Sequence, residues 1–315
     1  MARDSRYDQF KKNKSPRLRE LRHLAEWAVL AGLEALARNL SIPRAQALGR
    51  ALGRAAMRTA AKDAAIARFQ LEFSFPELAL PEREAILQQT FENAGQCLFE
   101  TLLIDRFRAE RETWIQVEGQ EVMTAALAQN KGVILIFGHL GNWELLPLVY
   151  EQLNIQGFAI ESPIGEEKLD RFLGAKRQSP NIEMIPRGET RGAKAMLKAF
   201  KNNQVMLFAL DQDMKVQSHF VPFFGRPAAS AKGAAHLAAK FGAPVLSAFG
   251  WRLPGGQHQY QIQLLSQAPY QGGLEEEIAL TARYTQAIEH QIRRFPGQWV
   301  WFHRRWKTQP EPEPR

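Results

Sequence analysis

The sequence predicts an α/β fold, in which a mainly parallel central sheet is flanked by helices and preceded by a helical region. From Trp114 onward, short apolar runs alternate with segments of helical periodicity, which is typical of repeated βαβ units. Two of these runs, 133–137 and 205–210, are apolar throughout, as expected of strands that are buried on both faces of a sheet. We therefore predict a helical region over 1–110 and an α/β core over 111–315, joined in one domain.

The helical region begins with a basic arm. Residues 1–22 contain eight lysines and arginines but only three acids, and they lead into a helix predicted over 21–40 that is apolar nearly all round. Such a helix lies either in a membrane interface or against the core of the protein. Glu26 and Glu34 interrupt its apolar surface, which disfavours a membrane span and favours peripheral or monotopic attachment. Further helices are predicted over 44–67 and 82–107.

The core is predicted to alternate strands with helices in the order of the chain. An edge strand is expected at 114–119. The other strands are predicted from short apolar runs at 133–137, 157–162, 182–186, 205–210, 245–251 and 260–265. The helices between them are predicted from apolar residues at helical spacing over 122–129, 143–153, 169–177, 192–201, 232–241 and 274–295.

The turn that follows the strand at 133–137 is the most informative segment of the core. Gly138 and Gly141 flank His139, and Asn142 is placed to cap the following helix. Pro147 would remove a backbone hydrogen bond from a helix that began at Asn142, so the α-helix is expected to start later. Ligands and chemistry collect at the carboxyl ends of strands in open α/β sheets. His139 is therefore the first candidate for a functional residue.

Acidic side chains are expected near His139. Four residues separate it from Glu144, and a carboxylate close to a neutral imidazole fixes its tautomer and raises its basicity, as a general base requires. Alternatively, Glu144 only satisfies amides at the helix start. Asp211 and Asp213 follow the second buried strand and reach the same edge of the sheet, where they either orient the imidazole or close an Asx turn. Without further clustered ligands they give little support to a metal site, and we predict none.

Other candidates come from cationic and aromatic residues of the core. Arg177 and Arg187 are predicted to approach one face, and a guanidinium suits phosphate or carboxylate oxygens, although each is equally typical of a solvated surface. The segment 219–235 combines aromatic with small residues. Phe223 and Phe224 in this segment either line an apolar slot or belong to the core.

The charge and the cysteine content narrow the range of partners. A formal net charge of +8 favours acidic partners such as an anionic lipid surface, a nucleic acid, a phosphorylated glycolipid or an acidic carrier protein. The tail at 298–310 interleaves tryptophans with cations, which suits a lipid headgroup interface or nucleic-acid stacking. No recognised nucleic-acid-binding motif is present, so a nucleic-acid partner is not expected. The one cysteine, Cys97, excludes an internal disulfide and is expected to pack in a helix.

Three motifs resemble those of the bacterial lipid A biosynthesis acyltransferases, the lauroyl and myristoyl transferase group. The run GHLGNWE at 138–144 resembles the H-x4-D/E motif of that family, and the stretches at 211–230 and 298–310 match in the same order. The resemblance implies a glycerolipid-acyltransferase-like fold, with His139 as general base and Asp213 favoured over Asp211 as its partner. It also implies that an acid and an arginine at the positions of Glu161 and Arg177 contact the acceptor. Altogether, the residues expected to contact a substrate are Asn142, Glu161, Arg177, Arg187, Phe223 and Phe224.

The expected function is the transfer of a fatty acyl chain from a thioester of acyl carrier protein or coenzyme A to a hydroxyl of a lipid A precursor, in lipopolysaccharide biosynthesis, without a cofactor. The alternatives are another lipid acceptor, such as a lysophospholipid, an ornithine lipid or another glycolipid, and a non-enzymatic binder of membrane or nucleic acid. Because neither a spanning helix nor a cleavable signal is predicted, the protein is expected on the anionic cytoplasmic face of the bacterial inner membrane.

Overall fold

The structure is a computed structural model that describes residues 2–3, 16–161, 167–186, 190–214 and 216–311 of the chain. Its strands are β1 (Ala2–Arg3), β2 (Ile115–Glu118), β3 (Val133–Phe137), β4 (Gly157–Glu161), β5 (Ile182–Pro186), β6 (Val205–Ala209), β7 (Ser218–Phe223), β8 (Arg226–Ala231), β9 (Val245–Arg252), β10 (His258–Ser266) and β11 (Thr308–Gln309). Seven of them form the central sheet in the order β2, β10, β9, β3, β6, β4 and β5. Neighbours in this sheet are parallel except for β9 and β10, so the predicted α/β class with a mainly parallel sheet is confirmed.

The helices surround this sheet and mostly follow the predicted pattern. They are α1 (Pro16–Arg38), α2 (Ile42–Thr59), α3 (Ala61–Ser74), α4 (Leu80–Leu102), α5 (Ile104–Ala109), α6 (Arg111–Trp114), α7 (Gln120–Leu127), α8 (Leu146–Leu153), α9 (Glu167–Arg177), α10 (Thr190–Lys201), α11 (Gly233–Phe241) and α12 (Leu274–Arg294). The helix predicted over 44–67 is interrupted at Ala60, where the backbone (φ −88°, ψ 49°) leaves the helical region. After Asn142, a 3-10 turn at Trp143–Leu145 precedes α8 and brings Pro147 into the first α-helical turn, where proline is tolerated.

The uniformly apolar sequence of β3 reflects burial on both of its faces. Ile134 and Ile136 join a cluster that includes residues of α11 and α12, whereas Val133 and Leu135 join a second cluster with residues of α5 and α8. All four side chains are at most 1% exposed. Alternate residues of a strand point to opposite faces, so a strand between two helical layers needs apolar residues throughout.

A hairpin of β7 and β8 lies beside the main sheet, and the sequence pattern did not predict it. Phe223 pairs with Arg226, which leaves Phe224 and Gly225 as a two-residue loop. Both loop residues have positive φ, +50° and +70°. This is the geometry of a type I′ turn, which matches the twist of the strands that it joins. A phenylalanine rarely adopts it, but burial of the Phe224 ring at 5% exposure in the core offsets the strain.

The aromatic tail is part of the core rather than a lipid-facing segment. Trp299, Trp301 and Trp306 are at most 2% exposed, and Arg305 is fully buried. The indole of Trp301 donates to the carbonyl of Pro296 and that of Trp306 to the carbonyl of Phe223. The prediction of a lipid headgroup interface at 298–310 is therefore wrong. Aromatic and cationic residues occur at lipid interfaces, but they also suit a core that satisfies their N–H groups internally.

Helices α2 and α4 pack with their backbones in contact. A Cβ atom built on Gly53 would lie 2.1 Å from the carbonyl oxygen of Phe91, and one built on Gly49 would lie 2.5 Å from that of Gly95. Since real Cβ atoms do not approach this closely, glycine is required at both positions. The close approach places α4 against the turn that follows β3, where the thiol of Cys97 donates to the carbonyl of Gly141.

Helix α1 leaves several apolar side chains on the surface. Val29 is 62% exposed and Leu36 is 46% exposed. Glu34 is only 16% exposed in its side chain, because it pairs with Arg38 at 3.0 Å and with Lys176 at 2.9 Å. In the part of the chain that the structure describes, no helix combines the length and the apolar character needed to cross a bilayer.

The α2–α4 contact predicts opposite effects for two glycine substitutions. Gly53→Ala should destabilise the fold by about 1–3 kcal/mol, because overpacking outweighs the gain in helix propensity. Gly32→Ala in α1 should be neutral or stabilising, since a Cβ there meets nothing within 4 Å. Urea unfolding of both variants measures the difference. Equal stability of the two would contradict the backbone contact.

Candidate active site

The central strands β3 and β6 end side by side at the wall of a cavity of about 670 Å³, which is within the usual size range of ligand sites. His139, Glu144 and Arg177 contribute polar groups to this wall. Most of the remaining lining is apolar and includes Phe137, Trp143, Leu207, Phe208, Met214 and Leu237. The cavity therefore offers a few convergent polar groups beside an extended apolar surface.

The imidazole of His139 is held by the carboxylate of Asp211. Nδ1 of His139 lies 2.8 Å from Oδ1 of Asp211, and the backbone N–H of His139 donates to Oδ2 at 2.6 Å. An ionised carboxylate only accepts hydrogen bonds, so Nδ1 carries the proton and Nε2 is left as the basic nitrogen. The His139 side chain is 16% exposed and lines the cavity. This arrangement suits a general base.

Asp211 remains ionised although it is fully buried. Burial by itself would raise the pKa of Asp211, but interaction with His139 and the hydrogen bonds from His139 and Trp299 outweigh it and lower the pKa to about 2. The indole of Trp299 donates to Oδ2 at 2.8 Å. The tail of the chain thus completes the environment of the carboxylate. Sequence reasoning singled out the motif at 298–310 but did not assign Trp299 to the site.

Glu144 binds an arginine instead of His139. Its two carboxylate oxygens accept from Nε and Nη2 of Arg177 at 2.6 Å each, and one of them also accepts from the indole of Trp143 at 3.1 Å. Charge-assisted bidentate pairs of this kind are strong and geometrically specific. The prediction that Arg177 approaches the site agrees with its position, whereas the expected contact of Glu144 with His139 is replaced by this pair.

The turn between β3 and the 3-10 segment is fixed by buried contacts. Gly141 has φ +61°, and a Cβ on it would lie 2.6 Å from the carbonyl oxygen of Gly250, so no other residue fits there. Its N–H donates to the carbonyl of Gln298 at 3.0 Å, and its own carbonyl accepts from the Cys97 thiol at 2.9 Å. Burial raises the pKa of Cys97 to about 12, so this thiol packs and donates, as expected.

A buried ionic network is hydrogen-bonded to the same turn. Glu100 forms two hydrogen bonds of 2.7 Å with Arg252, and it accepts from the side chain of Asn142 at 2.9 Å. Burial would raise the pKa of Glu100, but Arg252 and His258 hold it well below its usual range. The side-chain oxygen of Asn142 in turn accepts from the backbone N–H of Glu144 at 3.1 Å. The network therefore connects α4 and β9 to the active-site turn.

Several predicted site residues lie away from the cavity. Asp213 accepts from the backbone and hydroxyl of Thr308 at 2.6 and 3.0 Å, so it anchors the tail, and the preference for it over Asp211 is wrong. Asn142 is fully buried, where it binds Glu100 and the N–H of Glu144, and it does not line the cavity. Phe223 and Phe224 are at most 5% exposed and belong to the aromatic core.

Two further predicted site residues have side chains that the structure does not describe. Arg187 falls outside the described residues, and Glu161 ends β4 without a described side chain. No cluster of histidine, cysteine and acidic residues that could hold a metal ion is found in the described part of the chain.

Comparison with known proteins identifies the family. The family model for "Bacterial lipid A biosynthesis acyltransferase" matches residues 11–308. The chain belongs to this family. It is 30% identical over 301 residues to the lipid A biosynthesis lauroyltransferase of Escherichia coli K12, covering 93% of this chain and 96% of that protein.

Two other relatives have similar coverage. The lipid A biosynthesis palmitoleoyltransferase of Escherichia coli K12 is 30% identical over 298 residues, which is 93% of this chain and 95% of that protein. The lipid A biosynthesis acyltransferase of Haemophilus influenzae is 29% identical over 252 residues, which is 79% of this chain and 78% of that protein. The protein is thus an acyltransferase, and the alternative of a non-enzymatic binder does not hold.

The buried network of this family member predicts a large loss of stability when one partner is removed. Arg252→Met should cost about 3–5 kcal/mol, because the buried carboxylate of Glu100 loses the guanidinium that binds both of its oxygens. The matched control is Arg54→Met, which breaks an Arg–Glu pair of the same 2.7 Å length between α2 and α4, where the arginine is 55% exposed. That variant should lose at most about 1 kcal/mol. Urea unfolding at neutral pH measures both values.

The pH dependence gives a second readout of the same pair. A lowered carboxyl pKa stabilises the fold above the pKa of the unfolded chain, and this stabilisation is lost as the pH falls through the folded value. The difference in stability between wild type and Arg252→Met should therefore narrow with acidification, because protonation neutralises the buried carboxylate of Glu100 that has lost its guanidinium partner. A difference that widens toward low pH would contradict the assignment.

Proposed function

We propose that the protein is a membrane-associated O-acyltransferase that moves a fatty acyl chain from an acyl thioester to a hydroxyl of a lipid A precursor, with His139 as the general base. The observation that carries the proposal is the His139–Asp211 pair at the wall of an apolar cavity, with Nδ1 at 2.8 Å from the carboxylate. Membership of the lipid A biosynthesis acyltransferase family supports the choice of acceptor.

The chemistry follows from the free nitrogen of His139. Nε2 takes the proton of the acceptor hydroxyl as its oxygen attacks the thioester carbonyl, and a tetrahedral oxyanion forms. Its collapse breaks the carbon–sulfur bond, and the leaving thiolate takes the proton from the imidazolium. Asp211 holds the ring and stabilises its positive charge throughout. A covalent acyl-enzyme is not needed, and the sequence contains no G-x-S-x-G nucleophile motif.

The oxyanion needs a positive partner, and the turn amides are poor candidates for it. The N–H groups of His139, Leu140 and Gly141 donate to Asp211, Gly138 and Gln298, respectively. With these N–H groups already engaged, the guanidinium of Arg177, which lines the same cavity and is held in place by Glu144, is the candidate for the positive partner. We assign Arg177, held by Glu144, to the acceptor and to the charge that develops during transfer.

The donor and the location remain parts of the proposal. The apolar cavity walls suit the acyl chain, and a thioester of acyl carrier protein or coenzyme A supplies it without a cofactor. The exposed Val29 and Leu36 of α1, together with the net charge of +8, suit peripheral or monotopic attachment to the anionic cytoplasmic face of the bacterial inner membrane. No nucleic-acid partner is proposed.

The first test is mass spectrometry of a reaction with the purified protein, acyl carrier protein loaded with saturated chains, and a tetra-acylated lipid A precursor. Wild type should add one acyl group. His139→Ala should lose this activity, and Asp211→Asn should lower the rate by on the order of 10³-fold or more, because an amide favours the wrong tautomer of the imidazole. Nitrogen NMR of His139 in Asp211→Asn measures the tautomer directly.

The possible outcomes distinguish an error in the assigned base from an error in the assigned acceptor. Undiminished transfer by His139→Ala would refute the assignment of the base. Transfer by wild type to total membrane lipid, but not to the lipid A precursor, would keep the chemistry and change the acceptor to a lysophospholipid, an ornithine lipid or another glycolipid.

The Glu144–Arg177 pair predicts an effect on acceptor binding. Arg177→Lys keeps the charge but loses the bidentate fork, so the KM for the acceptor should rise about ten-fold or more. The KM for the acyl donor should change little, and the tautomer of His139 should stay as in wild type. Steady-state kinetics with each substrate varied in turn measures the effect. An effect confined to the donor would contradict the assignment of Arg177 to the acceptor.

A further inference from the structure

A second polar group lies on the cavity wall contributed by α11. Lys232 and His236 line the same cavity as His139. Both contact the carboxylate of Glu277 on α12, Lys232 with its Nζ at 3.4 Å and His236 with its Nδ1 at 2.8 Å. His219 of β7 also contacts this carboxylate through Nε2, at 2.7 Å. One carboxylate thus holds three side chains that are able to carry positive charge.

The group carries a net positive charge when either histidine is protonated, because Lys232 and one imidazolium then outnumber the single carboxylate of Glu277. Burial by itself would raise the pKa of Glu277, but hydrogen bonds from His219 and His236 and the charge of Lys232 outweigh it and lower the pKa, so Glu277 is ionised and provides one negative charge. The first turn of α11 contains no acidic residue, and no side chain caps it, so the electropositive end of the helix adds to the same field. An arriving anion would meet a lysine, an imidazole and this helix end.

The loose contact of Lys232 distinguishes it from Arg177. Arg177 is held in one orientation by two hydrogen bonds of 2.6 Å to Glu144. The 3.4 Å contact of Lys232 is longer than a charge-assisted hydrogen bond, and its side chain is 30% exposed. His236 is 54% exposed and uses Nδ1 for Glu277, so its Nε2 donates to an anion in the imidazolium form, in which both ring nitrogens carry a proton. Lys232 and His236 are therefore able to bind a ligand without breaking a strong internal pair.

We propose that Lys232 and His236 bind a phosphate ester of a substrate, while Glu277 and His219 position them. The inference rests on the proposed acyl transfer, and it adds a second polar recognition point to the wall of the cavity that His139 lines. Two substrates offer the required chemistry. One is the phosphopantetheine arm shared by acyl carrier protein and coenzyme A, and the other is a phosphorylated sugar of the acceptor.

The test is a binding measurement that needs no turnover. Isothermal titration calorimetry of the full chain compares phosphopantetheine with pantetheine, and glucosamine 1-phosphate with glucosamine. Lys232→Gln should weaken binding of one phosphorylated probe by roughly ten-fold to a hundred-fold and leave its unphosphorylated partner unchanged. Lys240→Gln is the matched control, because Lys240 lies in the last turn of the same helix and does not line the cavity.

The pair of probes that responds identifies the source of the phosphate. Loss for phosphopantetheine alone assigns the group to the donor, and loss for glucosamine 1-phosphate alone assigns it to the acceptor. The proposal is overturned if Lys232→Gln and wild type bind all four probes equally, or if the variant loses the phosphorylated and unphosphorylated probes to the same extent.

Kinetics separates this inference from the proposed function. In the acyl-transfer assay, Lys232→Gln should raise the KM of the phosphate-bearing substrate with little change in kcat. If the donor phosphate is the ligand, an acyl thioester of N-acetylcysteamine, which has no phosphate, should have the same KM with Lys232→Gln as with wild type. Transfer by wild type without a phosphate-dependent effect of Lys232→Gln would overturn the inference and keep the function. Phosphate-dependent binding without transfer to any acceptor would keep the site and refute the function.

Discussion

The buried carboxylate of Asp211 is the contact on which the site depends. It accepts hydrogen bonds from the backbone and the ring of His139 and from the indole of Trp299. A fully buried carboxylate is costly unless it is paired and hydrogen-bonded. The end of β3, the end of β6 and the tail of the chain must therefore all be in place before this charge is stable. The folding requirement and the geometry of the candidate site coincide in one side chain.

A second buried charge, on Glu100, extends this dependence to the N-terminal helices. Glu100 comes from α4, whose close packing on α2 requires glycine at the contact, and it binds Arg252 of β9 and Asn142 of the active-site turn. Displacement of α4 would remove a hydrogen bond from Asn142 and leave Arg252 without its carboxylate partner. The helices before the sheet thus help to hold the turn that carries His139.

Sequence patterns predicted some parts of the site and missed others for identifiable reasons. His139 was found because an apolar strand and two glycines mark the turn that carries it. The choice between Asp211 and Asp213 was missed, since both follow the same strand and only the path of the tail decides which of them meets the imidazole. Glu100 and Arg252 each give only a weak signal in the sequence, an isolated charge beside apolar residues. Lys232 lies in the segment 219–235, where aromatic and small residues dominate the pattern, and His236 lies in the helix predicted over 232–241, where a single histidine gives no signal of a site.

Local sequence by itself determined the fold class, the central strand, the late start of α8 and the position of His139, because hydrophobic periodicity, glycine and proline act over a few residues. Only the tertiary structure decided which partners those residues meet. Aromatic residues such as Phe224 and Trp299 carry the same pattern whether they face lipid, a ligand or a core. The pairing of His139 with Asp211 and of Glu144 with Arg177 depends on strand order and helix packing, which bring together residues that are 72 and 33 positions apart.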